Sequence, residues 1–98
     1  MAKCVIADDS RIIRMLLSKI MANLNFEVIE AEDGEEVVEM VELNEPAVVI
    51  MDWRLPVLDG IDALYKIRSL KKIKQPKVMF CSSLVDVEKI REALATII

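Results

Sequence analysis

The stretch Ala47-Val48-Val49-Ile50-Met51-Asp52 constrains this chain more than any other. Five apolar residues follow one another without alternation, which marks a strand buried on both faces, as in the centre of a parallel sheet. The run ends on a carboxylate, so Asp52 sits at the strand's carboxyl end, the edge where open α/β sheets bind ligands. Pro56 and the pair Asp59-Gly60 then shape a tight loop. Taken alone, Asp52 could simply cap the next helix. Other carboxylates reaching the same edge argue for more.

The rest of the chain repeats this grammar. Lys3-Cys4-Val5-Ile6-Ala7 reads as a second fully buried strand ending at Asp8-Asp9. Ser10 can cap a helix from Arg11 to Asn23, whose apolar stripe is Ile12, Ile13, Leu16, Leu17, Ile20, Met21 and Leu24. Phe26 to Glu30 alternates in part and reads as an edge strand. After Ala31-Glu32-Asp33-Gly34, a helix opens with Glu35 and Glu36 at the positive end of its dipole and runs to about Asn44. Pro46 stops it. A third helix follows Gly60, with Ile61, Leu64, Ile67 and Leu70 on its apolar side and Lys71, Lys72 and Lys74 at its end. Val78-Met79-Phe80-Cys81 reads as a fourth buried strand ending at Ser82-Ser83, and Asp86 to Ala95 as a fourth helix. Strand and helix alternate throughout, which demands a parallel sheet.

Ninety-eight residues allow one domain, and 54% hydrophobic residues supply a core. The net charge of −4 argues against a nucleic-acid surface. No apolar run approaches a membrane span, and the N-terminus lacks a signal-peptide shape, so a cytoplasmic location is expected. Cys4 and Cys81 lie in apolar runs and are expected as buried thiols rather than a disulfide. The absence of His excludes His-based catalysis and His-ligated metal.

Three strands thus end in polar groups: Asp8-Asp9, Asp52 and Ser82. Crowded carboxylates resist ionising together. A hard divalent cation resolves that conflict, and oxygen-only ligation points to Mg²⁺ rather than zinc. A carboxylate beside such an ion can act as nucleophile toward a phosphoryl donor, and the Ser82 hydroxyl can hydrogen-bond a phosphoryl oxygen. A phosphohydrolase of another family is disfavoured, because Arg54 stands where a second Asp would follow Asp52. Gly34 and Gly60 are the only glycines, so neither a dinucleotide turn nor a P-loop is present.

In combination, Val5-Ile6-Ala7-Asp8-Asp9-Ser10, Ala31 to Glu36, Val49 to Gly60 and Val78 to Ser83 resemble the receiver domain of two-component response regulators, the single-domain chemotaxis type above all. The resemblance covers residues 1–98. It implies a flavodoxin-like parallel sheet of strand order 2-1-3-4. It makes Asp52 the phosphoacceptor, Asp9 a direct Mg²⁺ ligand assisted by Asp8, the Arg54 backbone carbonyl a further ligand, and Ser82 the switch hydroxyl. A histidine kinase or phosphotransfer protein would donate the phosphoryl group and a protein target would receive the signal. The domain would not be an enzyme beyond self-catalysed phosphotransfer and dephosphorylation. The strand order also places Cys4 and Cys81 two strands, or roughly 10 Å, apart.

The family continues into a fifth strand ending in Lys-Pro and a fifth helix, whereas this sequence reads Ala93-Leu94-Ala95-Thr96-Ile97-Ile98. The resemblance therefore implies an incomplete C-terminus, without the phosphate-pairing Lys and the aromatic switch residue. Poor labelling of Asp52 by acetyl phosphate is expected from that. So is self-association through the uncovered Ile12, Leu16 and Ile20 stripe and the edge of the fourth strand. Trp53 is expected as a partly exposed loop aromatic, and Arg54 either shields the phosphoryl group or faces solvent. The alternative reading is a receiver-like fragment, natural or engineered, that assembles with itself and no longer cycles phosphate.

Overall fold

The computed structural model of the chain describes residues 1–81. Ser82 and the expected fourth helix lie outside them. Strands β1 (Lys3–Ala7), β2 (Glu27–Ala31), β3 (Val48–Met51) and β4 (Lys77–Phe80) alternate with helices α1 (Arg11–Asn23), α2 (Gly34–Asn44) and α3 (Gly60–Ser69). The sheet is parallel in the order β2-β1-β3-β4, as expected. β1 and β3 are central, and their side chains are buried on both faces except at their first residues.

Local chemistry explains the helix boundaries. The Ser10 hydroxyl accepts from Ile13 N–H to start α1, the Asp33 carboxylate accepts from Glu36 N–H to start α2, and Asp59 accepts from Gly60 N–H to start α3. Asp59, not Asp52, caps α3. α2 ends on Glu45 in the left-handed region (φ 44°), just before Pro46. Lys66 and Arg68 occupy the last turn of α3, so it is they, and not the Lys71-Lys72 run beyond it, that meet the negative end of its dipole.

The strand alternation divides the core. Val5, Ala7, Ala31, Val49, Met51 and Val78 face α2 and α3, packing on Val37, Val41, Ala63, Leu64 and Ile67. Cys4, Ile6 and Ile50 face the other way and meet Met21 and Leu17 of α1. Among the described residues no helix is long and apolar enough to cross a membrane.

Several expectations are corrected here. The apolar stripe of α1 divides between two faces, and its Ile12, Leu16 and Ile20 line is uncovered, as expected. Arg14 and Met21 are buried and Leu17 packs on the core, whereas Ile12, Leu16 and Ile20 are 65%, 50% and 55% exposed. Positions 14, 17 and 21 recur at helical spacing, and that phase faces the sheet. β4 is not buried throughout: Val78 points into the α2–α3 core, and Met79, on the opposite side of the pleat, is 58% exposed. Cys81 lies beyond the end of β4 and is exposed, while Cys4 is buried; both are free thiols. Burial pushes the Cys4 thiol up to about 11, which keeps it protonated. The register aligns Cys4 with Val48 and Val48 with Lys77. Cys81 is therefore four residues further along as well as two strands across, and the separation becomes about 16 Å rather than 10.

Candidate functional site

The site stands at the carboxyl edge of the two central strands. Ala7 is in register with Met51, so the next residues, Asp8 and Asp52, emerge side by side. The ladder continues one step past the strands: Asp52 N–H donates to Ala7 C=O (3.1 Å), Asp8 N–H to Ala31 C=O (3.2 Å) and Cys81 N–H to Met51 C=O (3.0 Å). Asp9 follows in the β1–α1 loop. One carboxylate oxygen from each of Asp8, Asp9 and Asp52 lies within 4.8 Å of the others.

The three carboxylates are not equivalent. Asp8 is only 4% exposed, Asp52 is half-buried and Asp9 is exposed. Burial raises the Asp8 pKa above the ordinary carboxylate range. The Ser10 N–H, at 2.8 Å from its Oδ1, works against this, and the neighbouring charges of Asp52 and Asp9 add to it. Asp52 Oδ1 accepts the N–H of Arg54 at 3.3 Å, which turns the chain away from the sheet. Arg54 is exposed. The donor set is all carboxylate oxygen, the chemistry of a hard divalent cation, and the residues present fit Mg²⁺.

Close packing holds the loop after Asp52. A Cβ on Gly60 would collide with the Asp52 carbonyl, and one on Gly34 with the Leu58 carbonyl. Gly60 N–H donates to Trp53 C=O (2.9 Å), and Gly34 N–H to Pro56 C=O (3.2 Å). Trp53 is not the partly exposed aromatic expected. It is buried, its ring stacks on Phe80 at 4.2 Å and 5°, and Ile61 packs against it. An apolar partner at the end of β4 explains the difference: Met51 and Phe80 are in register, so Trp53, two residues past Met51, comes within reach of the aromatic that ends β4.

With this geometry in place, the comparisons decide the family. The sequence matches the response regulator receiver domain over residues 4–97. The chain belongs to the response regulator receiver domain family. It is 42% identical over 93 residues to the transcriptional regulatory protein PdtaR of Mycobacterium tuberculosis, covering 93% of this chain and 45% of PdtaR. It is 35% identical over 83 residues to the chemotaxis protein CheY of Bacillus subtilis, covering 84% of this chain and 68% of CheY. The chemotaxis response regulator CheY4 of Vibrio cholerae superposes with a TM-score of 0.87 at 28% identity, over 98% of this chain and 80% of that one. The chain thus spans under half the length of PdtaR and about two thirds of CheY. Receiver domains are signalling domains of two-component systems and interact with histidine kinases or phosphotransfer proteins.

Of the expected site residues, Asp8, Asp9 and Asp52 come together; Arg54 adjoins them through its backbone N–H, and Ser82 lies outside the described residues. Sequence reasoning passed over Arg14. It is 7% exposed and donates to the Asp8 carbonyl at 2.7 Å. Its signal was present: a lone arginine in helical phase with Leu17 and Met21.

Proposed function

We propose that this receiver domain takes a phosphoryl group on Asp52 from a histidine kinase or phosphotransfer protein, with Mg²⁺ as cofactor, and signals through protein contacts in the cytoplasm. The convergence of Asp8, Asp9 and Asp52 at the edge of the two central strands carries this reading. Asp52 is the half-buried member, placed where a phosphoryl donor can approach, and burial favours the protonated form of Asp8. An Asp52 carboxylate oxygen attacks phosphorus, the bond from phosphorus to the donor nitrogen breaks, and the imidazole leaves with that electron pair. Asp8, Asp9, Asp52 and the Arg54 backbone carbonyl would hold Mg²⁺, which supplies positive charge against the phosphoryl oxygens. Ser82 donates a hydrogen bond to one of those oxygens. The receiver match spans residues 4–97, and the role needs no catalysis beyond self-catalysed phosphotransfer and dephosphorylation. Neither nucleic acid nor membrane is a partner.

The test uses the whole chain. Mg²⁺ is expected to change Trp53 fluorescence and raise the melting temperature. Acetyl phosphate with Mg²⁺ is expected to add one phosphoryl group, however slowly, seen by intact mass. Asp52→Asn abolishes the addition. Labelling that survives Asp52→Asn, or no labelling even from a phosphorylated histidine donor, overturns phosphoacceptance and leaves the interaction module without phosphate cycling. A silent Mg²⁺ titration overturns the cofactor.

A further inference from the structure

Glu30 belongs to β2 and lies opposite Ile6 of β1; Glu32 follows one residue after the strand. Arg14 sits in the second turn of α1 on the face packed against the sheet. Its guanidinium spends each of its nitrogens on a different element. Nη1 donates to the Asp8 carbonyl at 2.7 Å, Nε to Glu30 Oε1 at 3.1 Å and Nη2 to Glu32 Oε1 at 3.4 Å. The two glutamates are substantially exposed, but the Arg14 side chain is not. An ion pair in which only the cation is buried is weak evidence for stability, because taking the guanidinium out of water offsets its attraction to the two exposed carboxylates. What it fixes is geometry. A planar fork with several donors holds three acceptors in set directions, which a lysine ammonium on a flexible stem does not.

The acceptor on the β1–α1 loop is the peptide of Asp8 itself. Asp8 is then held on three sides: its N–H by Ala31 C=O, its carbonyl by Arg14 and its Oδ1 by Ser10 N–H. Asp9, the exposed member of the cluster, inherits its position from that peptide. We infer that Arg14 is a positioning residue for the acidic cluster, orienting Asp8 and Asp9 toward Asp52 through the Asp8 carbonyl, with Glu30 and Glu32 holding its guanidinium. The inference rests on the Mg²⁺ reading above.

The experiment measures Mg²⁺ affinity from Trp53 fluorescence, well below each variant's melting temperature, with Asp9→Asn as a control. Arg14→Met is expected to weaken Mg²⁺ about 10-fold, as loss of a partner behind a metal ligand commonly does. Arg14→Lys is expected to recover part of the loss. The double variant Glu30→Gln, Glu32→Gln keeps Arg14 and alters only exposed side chains, and is expected to weaken Mg²⁺ by a smaller factor. A purely structural Arg14 would lower the melting temperature and leave Mg²⁺ affinity unchanged, which overturns the inference. If Arg14→Met does not fold, unchanged affinity in the double variant overturns it equally. A wild-type chain as silent to Mg²⁺ as Asp9→Asn overturns the Mg²⁺ reading itself, and the inference with it.

Discussion

On the α2–α3 side of the sheet, Val37, Val41, Val49, Ala63, Leu64 and Ile67 are completely buried, while on the α1 side Ile12, Leu16 and Ile20 stay at least half exposed. Among the described residues two helices cover the first face, capped by Asp33 and Asp59 and packed on strands whose inward residues are Val, Ala and Met. Among the described residues one helix covers the second face. α1 lies over β1 and β2, and Met79 of β4 faces out on that side. The difference separates two kinds of apolar residue that a periodicity count treats alike. Those on the closed face hold the domain together. Those on α1 lie on a surface open to a partner, and exposed apolar patches of that kind mark sites of association.

Substitution gives the largest contrast. Leu64→Ala or Ile67→Ala removes fully buried atoms and is expected to cost about 2–5 kcal/mol of stability. Leu16→Ala and Ile20→Ala are expected to cost less than about 1 kcal/mol, because little contact is lost. Denaturant melts of the four variants measure this. Sedimentation over a range of concentrations sharpens it: the chain is expected to self-associate, and Leu16→Glu to reverse that. Equal losses on both faces, or a wild type that stays monomeric at every concentration, would break the distinction.

The same contrast shows what could be read without coordinates. The parallel sheet and the bounds of α1 were legible because buried central strands and a capped amphipathic helix leave signals local in sequence, whereas the strand order came from the family resemblance. Asp8 and Asp52 were legible because each directly follows an apolar strand run, which places it at the edge without any knowledge of packing, and Asp9 because it adjoins Asp8. The face of α1 was not, since Ile12-Ile13 and Leu16-Leu17 supply apolar residues to two phases at once and only the sheet chooses between them. Arg14 was missed for the same reason: a charged residue in the buried phase counts against that phase in a hydrophobicity pattern, although here it is anchored by three acceptors. Trp53 and Cys81 were misplaced because burial past a strand end depends on a neighbour, Phe80 in one case and none of the apolar core clusters in the other.

A smaller effect lies in the loop that joins the site to the closed face. Val57 has φ 70°, in the left-handed region, and is exposed. For a β-branched residue this conformation is an outlier. Asn25, at φ 67°, is a residue type that tolerates it. Relief of roughly 1–2 kcal/mol of strain, less the greater chain entropy of glycine, leaves Val57→Gly more stable by about 0.5–1 kcal/mol. Thermal melts of Val57→Gly and Val57→Asn are both expected to rise. A fall in both would show that the side chain makes contacts worth more than the strain.

The smallest expected effect is the pH response of Asp8, and its sign discriminates between an acidic cluster built for a cation and one that merely tolerates its charges. The Asp8 pKa is raised in the folded chain, first by burial and then by Asp52 and Asp9. The native state therefore binds this proton more tightly than the unfolded state does. The ionised form carries a penalty above the folded pKa, and the penalty fades as pH falls through that value toward the ordinary carboxylate value. Without divalent metal, lowering pH from neutral toward the ordinary carboxylate value is expected to raise wild-type stability relative to Asp8→Asn, whose amide oxygen can still accept from Ser10 N–H. Excess Mg²⁺ is expected to remove or reverse the difference, because a bound cation favours the ionised carboxylate. Melting temperatures of the two proteins, across pH and with and without Mg²⁺, measure this. Parallel pH profiles in chelator would show that Asp8 is no more strained by its charge than a surface carboxylate, and that the cluster needs no cation to resolve its repulsion.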